Sequence, residues 1–75
     1  MSVLANPIAL LKEDAGVIPE GFIFLSYKNI GNQPATVMGL PVAPGEADSF
    51  PFVGKGYPAI AYDATGTTLK IRYVL

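Results

Sequence analysis

Glycine or proline interrupts this chain roughly every 8 to 12 residues, and no segment between interruptions shows apolar residues at the i, i+3, i+4, i+7 spacing of a helix. Such a rhythm suits short strands joined by tight turns. It predicts an all-β fold, a single domain over residues 1–75 built as a small antiparallel β-sandwich or jelly-roll-like barrel of about six short strands.

Residues 4–14 are the ambiguous stretch. Ile8, Leu10 and Leu11 ahead of Lys12, Glu13 and Asp14 fit one helical turn or a first edge strand, and Pro7 and Gly16 bracket them too closely for a stable helix. The strand is the expectation. At Ile18-Pro19-Glu20-Gly21 the chain reverses, with Pro19 fixing φ and Gly21 free to take a positive φ. The next strand, over 22–29, puts Phe22 and Phe24 on one face and Ile23, Leu25 and Tyr27 on the other. A strand apolar on both sides is central to two layers or lies against a neighbouring subunit.

After the loop 29–34, residues 35–38 are short and β-branched, Gly39 marks a bulge or tight bend, and 40–42 form an edge segment because Pro41 cannot donate to a ladder. Ala43-Pro44-Gly45-Glu46 has the residue order of a type II turn. Residues 47–52 resume a strand with Phe50 and Phe52 on one face, and 54–58 connect onward. The last unit reads as a hairpin: 59–62, the loop Asp63-Ala64-Thr65-Gly66, then 67–75. In its second strand Leu69, Ile71, Tyr73 and Leu75 share a buried face, while Lys70 and Arg72 share a wet one.

Composition narrows the function. Hydrophobic residues make up 51% and charged ones only 15%, against about 25% charged in an ordinary soluble domain. A chain this short hides only roughly 60% of its surface on folding. There is no cysteine for a disulfide and no cysteine or histidine for a zinc site, so association is the remedy left for a marginal core. The five basic residues, Lys12, Lys28, Lys55, Lys70 and Arg72, are spread along the length at net charge −1, which argues against nucleic acid. The N-terminal residues carry no basic leader, and no apolar run approaches the roughly 20 residues of a membrane span. The expectation is a soluble chain with no secretion signal and no membrane partner.

Histidine and cysteine, the usual acid–base and nucleophilic groups, are both missing. Ser2, Ser26 and Ser49 lie in no nucleophile elbow, and Gly54-Lys55-Gly56 is too short for a phosphate cradle. No enzymatic activity and no cofactor are expected. Glu46 and Asp48 could join Asp14 or Asp63 around calcium, but their spacing matches no loop with six or more oxygens. They read as a solvated acidic face, with Asp63 a turn cap. A glycosidase pair drawn from Glu20, Glu46 and Asp48 would lack a substrate cleft. The phenylalanines read mainly as core, and Tyr57 and Tyr62, near loops, as interface residues. Phe22, Phe24, Tyr57 and Tyr73 are the candidates for a self-association surface.

Four stretches carry a resemblance: Asn29-Ile30-Gly31-Asn32, Ala35-Thr36-Val37-x-Gly39, Pro44-Gly45-Glu46 with Phe50 downstream, and the run from Tyr62 through Gly66 to Leu69. Over residues 29–75 the chain resembles small β-sandwich modules of bacteriophage virion structural proteins. The resemblance implies a homo-oligomer, with a trimer favoured, placed on a capsid, spike or tail fitting beside other virion proteins and assembled in the host cytoplasm. Its motifs are turns, so no functional residue carries over. The alternative is a small carbohydrate- or peptide-binding β module using the aromatics and the loop 29–34.

Overall fold

The computed structural model describes residues 4–75, and no helix occurs among them. Ser2 and the first residues of the stretch read as lacking a leader lie outside the described residues. Eight strands run in order: β1 Pro7–Lys12, β2 Ala15–Ile18, β3 Phe24–Asn29, β4 Ala35–Val37, β5 Leu40–Val42, β6 Ala47–Phe50, β7 Ile60–Asp63 and β8 Leu69–Val74. They form two antiparallel four-stranded sheets, ordered β1-β8-β3-β6 and β2-β7-β4-β5.

The chain is organised as two long ribbons, each bent across both sheets. The outer ribbon pairs β1 with β8 and then β2 with β7, so the register passes from Lys12 opposite Leu69 to Ala15 opposite Asp63. The inner one pairs β3 with β6 and β4 with β5. Six connections cross between the sheets: 13–14, 30–34, 43–46 and 64–68 lie at one end, here called the arch end, and 19–23 and 51–59 lie at the other. This strand order is that of an eight-stranded jelly roll.

Alternation within the strands builds the core. Leu69, Ile71 and Tyr73 of β8 face Ile60 and Tyr62 of β7, and with Ile18, Phe22, Leu25, Val37 and Val42 they are buried between the sheets. Burying such side chains is the main favourable term in folding. Even so, the radius of gyration is 12.5 Å, against about 11 Å for a compact chain of this length. Its exposed area of 4798 Å² likewise exceeds the about 4,400 Å² expected from its mass. A thin sandwich leaves apolar side chains outside.

Several sequence expectations are corrected. There are eight strands where about six were expected, because residues 7–18 bend at Glu13 and Asp14 into two strands of different sheets. The final hairpin is an arch. Its turn chemistry is present, with Thr67 N–H donating to the Ala64 carbonyl at 3.0 Å and Gly66 at φ 86°, yet β7 and β8 belong to opposite sheets. Gly39 completes a two-residue hairpin loop with Met38, both at positive φ (55° and 76°), the type I′ geometry. Phe22 precedes its expected strand and is fully buried, whereas Phe24 points out. Phe52 falls beyond β6, since Pro51 has no N–H to continue the ladder, and it is 63% exposed. Leu75 likewise runs past β8 and is exposed.

Other turn readings agree with the structure. Gly45 takes φ 83° and Glu46 N–H reaches the Ala43 carbonyl at 2.9 Å, which closes the turn at the expected place. Gly21 takes φ 98°.

Candidate functional site

Two of the four sequence-predicted interface residues lie inside the subunit. Phe22 is 0% and Tyr73 7% exposed, so both serve the core and neither offers surface to a second copy. Phe22 stacks on Tyr57 at a centroid distance of 5.1 Å and an interplanar angle of 13°, while Phe50 meets both rings edge-on. Two backbone hydrogen bonds lock this cluster, Gly21 N–H to the Tyr57 carbonyl at 2.9 Å and Tyr57 N–H to the Phe22 carbonyl at 2.8 Å. The Tyr57 hydroxyl then donates to the Pro51 carbonyl at 2.6 Å. Tyr57 therefore fastens the loop after β6 over the end opposite the arches. Tyr62, also read as an interface residue, is buried with its ring against Gly16. Phe24 alone of the four predicted residues points outward from a sheet.

The carboxylates accept from backbone amides close to them in sequence, Glu46 and Asp63 at turns and Asp48 within β6. Glu46 Oε1 accepts from Ala43 N–H at 2.9 Å, Asp48 Oδ1 from Ser49 N–H at 2.8 Å and Asp63 Oδ1 from Thr65 N–H at 2.9 Å. The Thr65 hydroxyl and N–H together hold the Asp63 carboxyl below its ordinary value. Burial raises the Tyr27 phenol, aided by the nearby charges of Asp48 and Glu46. Among the described residues no three His, Cys, Asp or Glu side chains gather to hold a metal ion.

The structure assembles a surface that linear reading passed over. Register places Lys70 of β8 directly opposite Lys28 of β3, and Arg72 opposite Ser26. All four point outward from the β1-β8-β3-β6 sheet, with Ala9 and Leu11 on one side and Ala47 and Ser49 on the other. Three of the five basic residues therefore share one face, which corrects the reading that they are merely scattered. No outward position on these four strands carries a carboxylate. The small side chains between the cations leave a shallow depression lined by Ser26, Lys28, Lys70 and Arg72, with Asp48 at its β6 edge. Beyond Arg72 the face turns apolar, with Pro7, Val74 and Phe24 in one row.

The opposite face differs. Ala15, Val17, Ala61, Asp63, Thr36 and Pro41 point outward from the β2-β7-β4-β5 sheet, so that face bears a carboxylate and no cation. The only signal of these faces in the sequence is the alternation of Lys70 and Arg72 along the last strand. Placing Lys28 beside them requires the β3–β8 register.

The fold and its surfaces define a small jelly-roll domain with shallow, chemically distinct faces. No protein-family profile, curated protein or solved structure matches the chain.

Proposed function

We propose that this chain is a non-enzymatic structural protein that acts by self-association, a jelly-roll building block of a bacteriophage particle. The observation that carries the reading is apolar exposure. Among the described residues ten large apolar side chains are at least 36% exposed, among them Leu11 and Phe24 on one sheet, Val17, Met38 and Leu40 on the other, and Phe52 in the loop after β6. Scattered singly, such residues are ordinary; this many on so small a surface favour burial by copies of the same chain. The phage context rests on the resemblance over residues 29–75 and on the jelly-roll order, an architecture that recurs in viral capsid domains.

Light scattering on a sizing column, at two concentrations about tenfold apart, tests the proposal. A stable multiple of 7.9 kDa is the expected result. A monomer at both concentrations overturns it and shifts weight to the carbohydrate- or peptide-binding alternative, for which a glycan array gives the direct readout.

A further inference from the structure

Resting on the self-association proposed above, we infer that copies pack front to back, the outer face of the β1-β8-β3-β6 sheet of one copy covering the outer face of the β2-β7-β4-β5 sheet of the next.

Charge decides the pairing. On the front face Lys28 stands directly opposite Lys70, with Arg72 two residues along the same strand. Like charges directly opposite each other in a sheet destabilise it. None of the three has a carboxylate within 4.0 Å among the described residues, where the one ion pair is Lys12 with Asp14. A front-to-front contact would press these cations against their own copies. The back face offers the complement, with the Asp63 carboxylate in the row Ala15, Asp63, Thr36, Pro41 and no cation pointing outward.

Apolar surface separates this occupant from a polyanion. A charged polymer would satisfy Lys28, Lys70 and Arg72 but leave Leu11 and Phe24 wet on the front, and would do nothing for Val17 and Met38 on the back. A partner that is both acidic and apolar covers all of them, and the back face of a second copy is such a surface.

Area sets the form of the assembly. Four strands about 4.8 Å apart, of six residues at most in the front sheet and three or four in the back, present on the order of 400 Å² and 200 Å² respectively, about half or less of what one partner contributes to a standard stable interface. A lone pair is therefore weak. A subunit using both faces at once buries about twice as much, and closing a ring adds a contact without adding a subunit, so the contact favours a closed ring over a lone pair or an open stack.

The test uses two charge-reversed proteins, Lys70→Glu/Arg72→Glu for the front and Thr36→Lys/Ala61→Lys for the back. All four positions are exposed, and circular dichroism checks that both variants fold. Each variant alone should stay monomeric where the wild type assembles. An equimolar mixture should assemble again, because each reversed front then meets a reversed back. For the wild type, raising ionic strength until the Debye length falls from about 10 Å to about 3 Å should raise the midpoint concentration about tenfold or more. If the variants assemble as the wild type does, if the mixture stays monomeric, or if salt has no effect, front-to-back packing is wrong while self-association stands. A wild type that is monomeric throughout overturns self-association itself.

Discussion

The Thr67 hydroxyl donates to the Asn29 side-chain carbonyl at 2.8 Å, joining two buried residues 38 positions apart. Asn29 spends its whole side-chain capacity here. Its Nδ2 donates to the carbonyls of Gln33 at 2.7 Å and Val42 at 2.9 Å, and its Oδ1 also accepts from Gly31 N–H at 3.0 Å. Two of the arches and the end of β5 therefore meet on one side chain, fully buried with every polar atom satisfied, and the 43–46 arch bonds the backbone of the same residue.

Replacing it exposes that dependence. Asn29→Ala leaves the buried Val42 carbonyl and Thr67 hydroxyl, and the part-buried Gln33 carbonyl and Gly31 amide, without this partner, and should cost about 3 kcal/mol. Urea denaturation followed by tyrosine fluorescence checks this. A loss under about 1 kcal/mol would mean that water replaces the amide.

Gly16 and Tyr62 are coupled through space. A Cβ on Gly16 would lie 2.7 Å from Cζ of the Tyr62 ring, so Gly16→Ala should cost about 2 to 3 kcal/mol by displacing that ring. In a Tyr62→Leu background the same substitution should cost at least about 1 kcal/mol less. Equal costs in both backgrounds would show that strain in β2, and not the ring, sets the penalty.

Met38 occupies the first position of the type I′ loop at φ 55°, a conformation that costs a residue with a Cβ roughly 1 kcal/mol and that asparagine tolerates. Met38→Asn should therefore stabilise the subunit by about 0.5 to 1 kcal/mol, measured by thermal unfolding at a concentration too low for assembly. A lower melting temperature would show that the exposed methionine packs usefully on β7.

Asp63 predicts a pH dependence with a definite sign. Its carboxyl is held below the ordinary value by the Thr65 hydroxyl and N–H, so the stability it adds is present above that ordinary value and disappears as pH falls through the folded one. The melting gap between wild type and Asp63→Ala should be constant from about pH 7 to about pH 5 and should close below about pH 4. A gap that persists to about pH 2 would assign the effect to shape instead of charge.

These residues also show where sequence reading succeeded and where it stopped. Pro44 and Gly45 place a turn by local sterics alone, and Leu69, Ile71 and Tyr73 mark an inward face by alternation alone, so both were legible. Asp63 to Gly66 specify a bend equally well. Nothing local states whether the next strand returns beside β7 or crosses to the other sheet, and the crossing is settled by what Tyr62 and Leu69 bury together. Phe22 was misplaced for a related reason, since its burial comes from Tyr57 and Phe50, residues distant in sequence. The cationic face was illegible because it exists only once β3 and β8 are in register.

The outer ribbon joins the first strand to the last, while the inner one closes around the two-residue Met38-Gly39 loop. Local closure is fast and distant closure slow, so order of assembly is written into the topology. The inner ribbon can zip as soon as β6 has been synthesised, whereas β1 and β2 must wait, unpaired and apolar, until the C-terminal strands leave the ribosome. A newly made chain spends that interval with two open sheet edges, and its yield depends on how quickly residues 60–75 arrive to cover them.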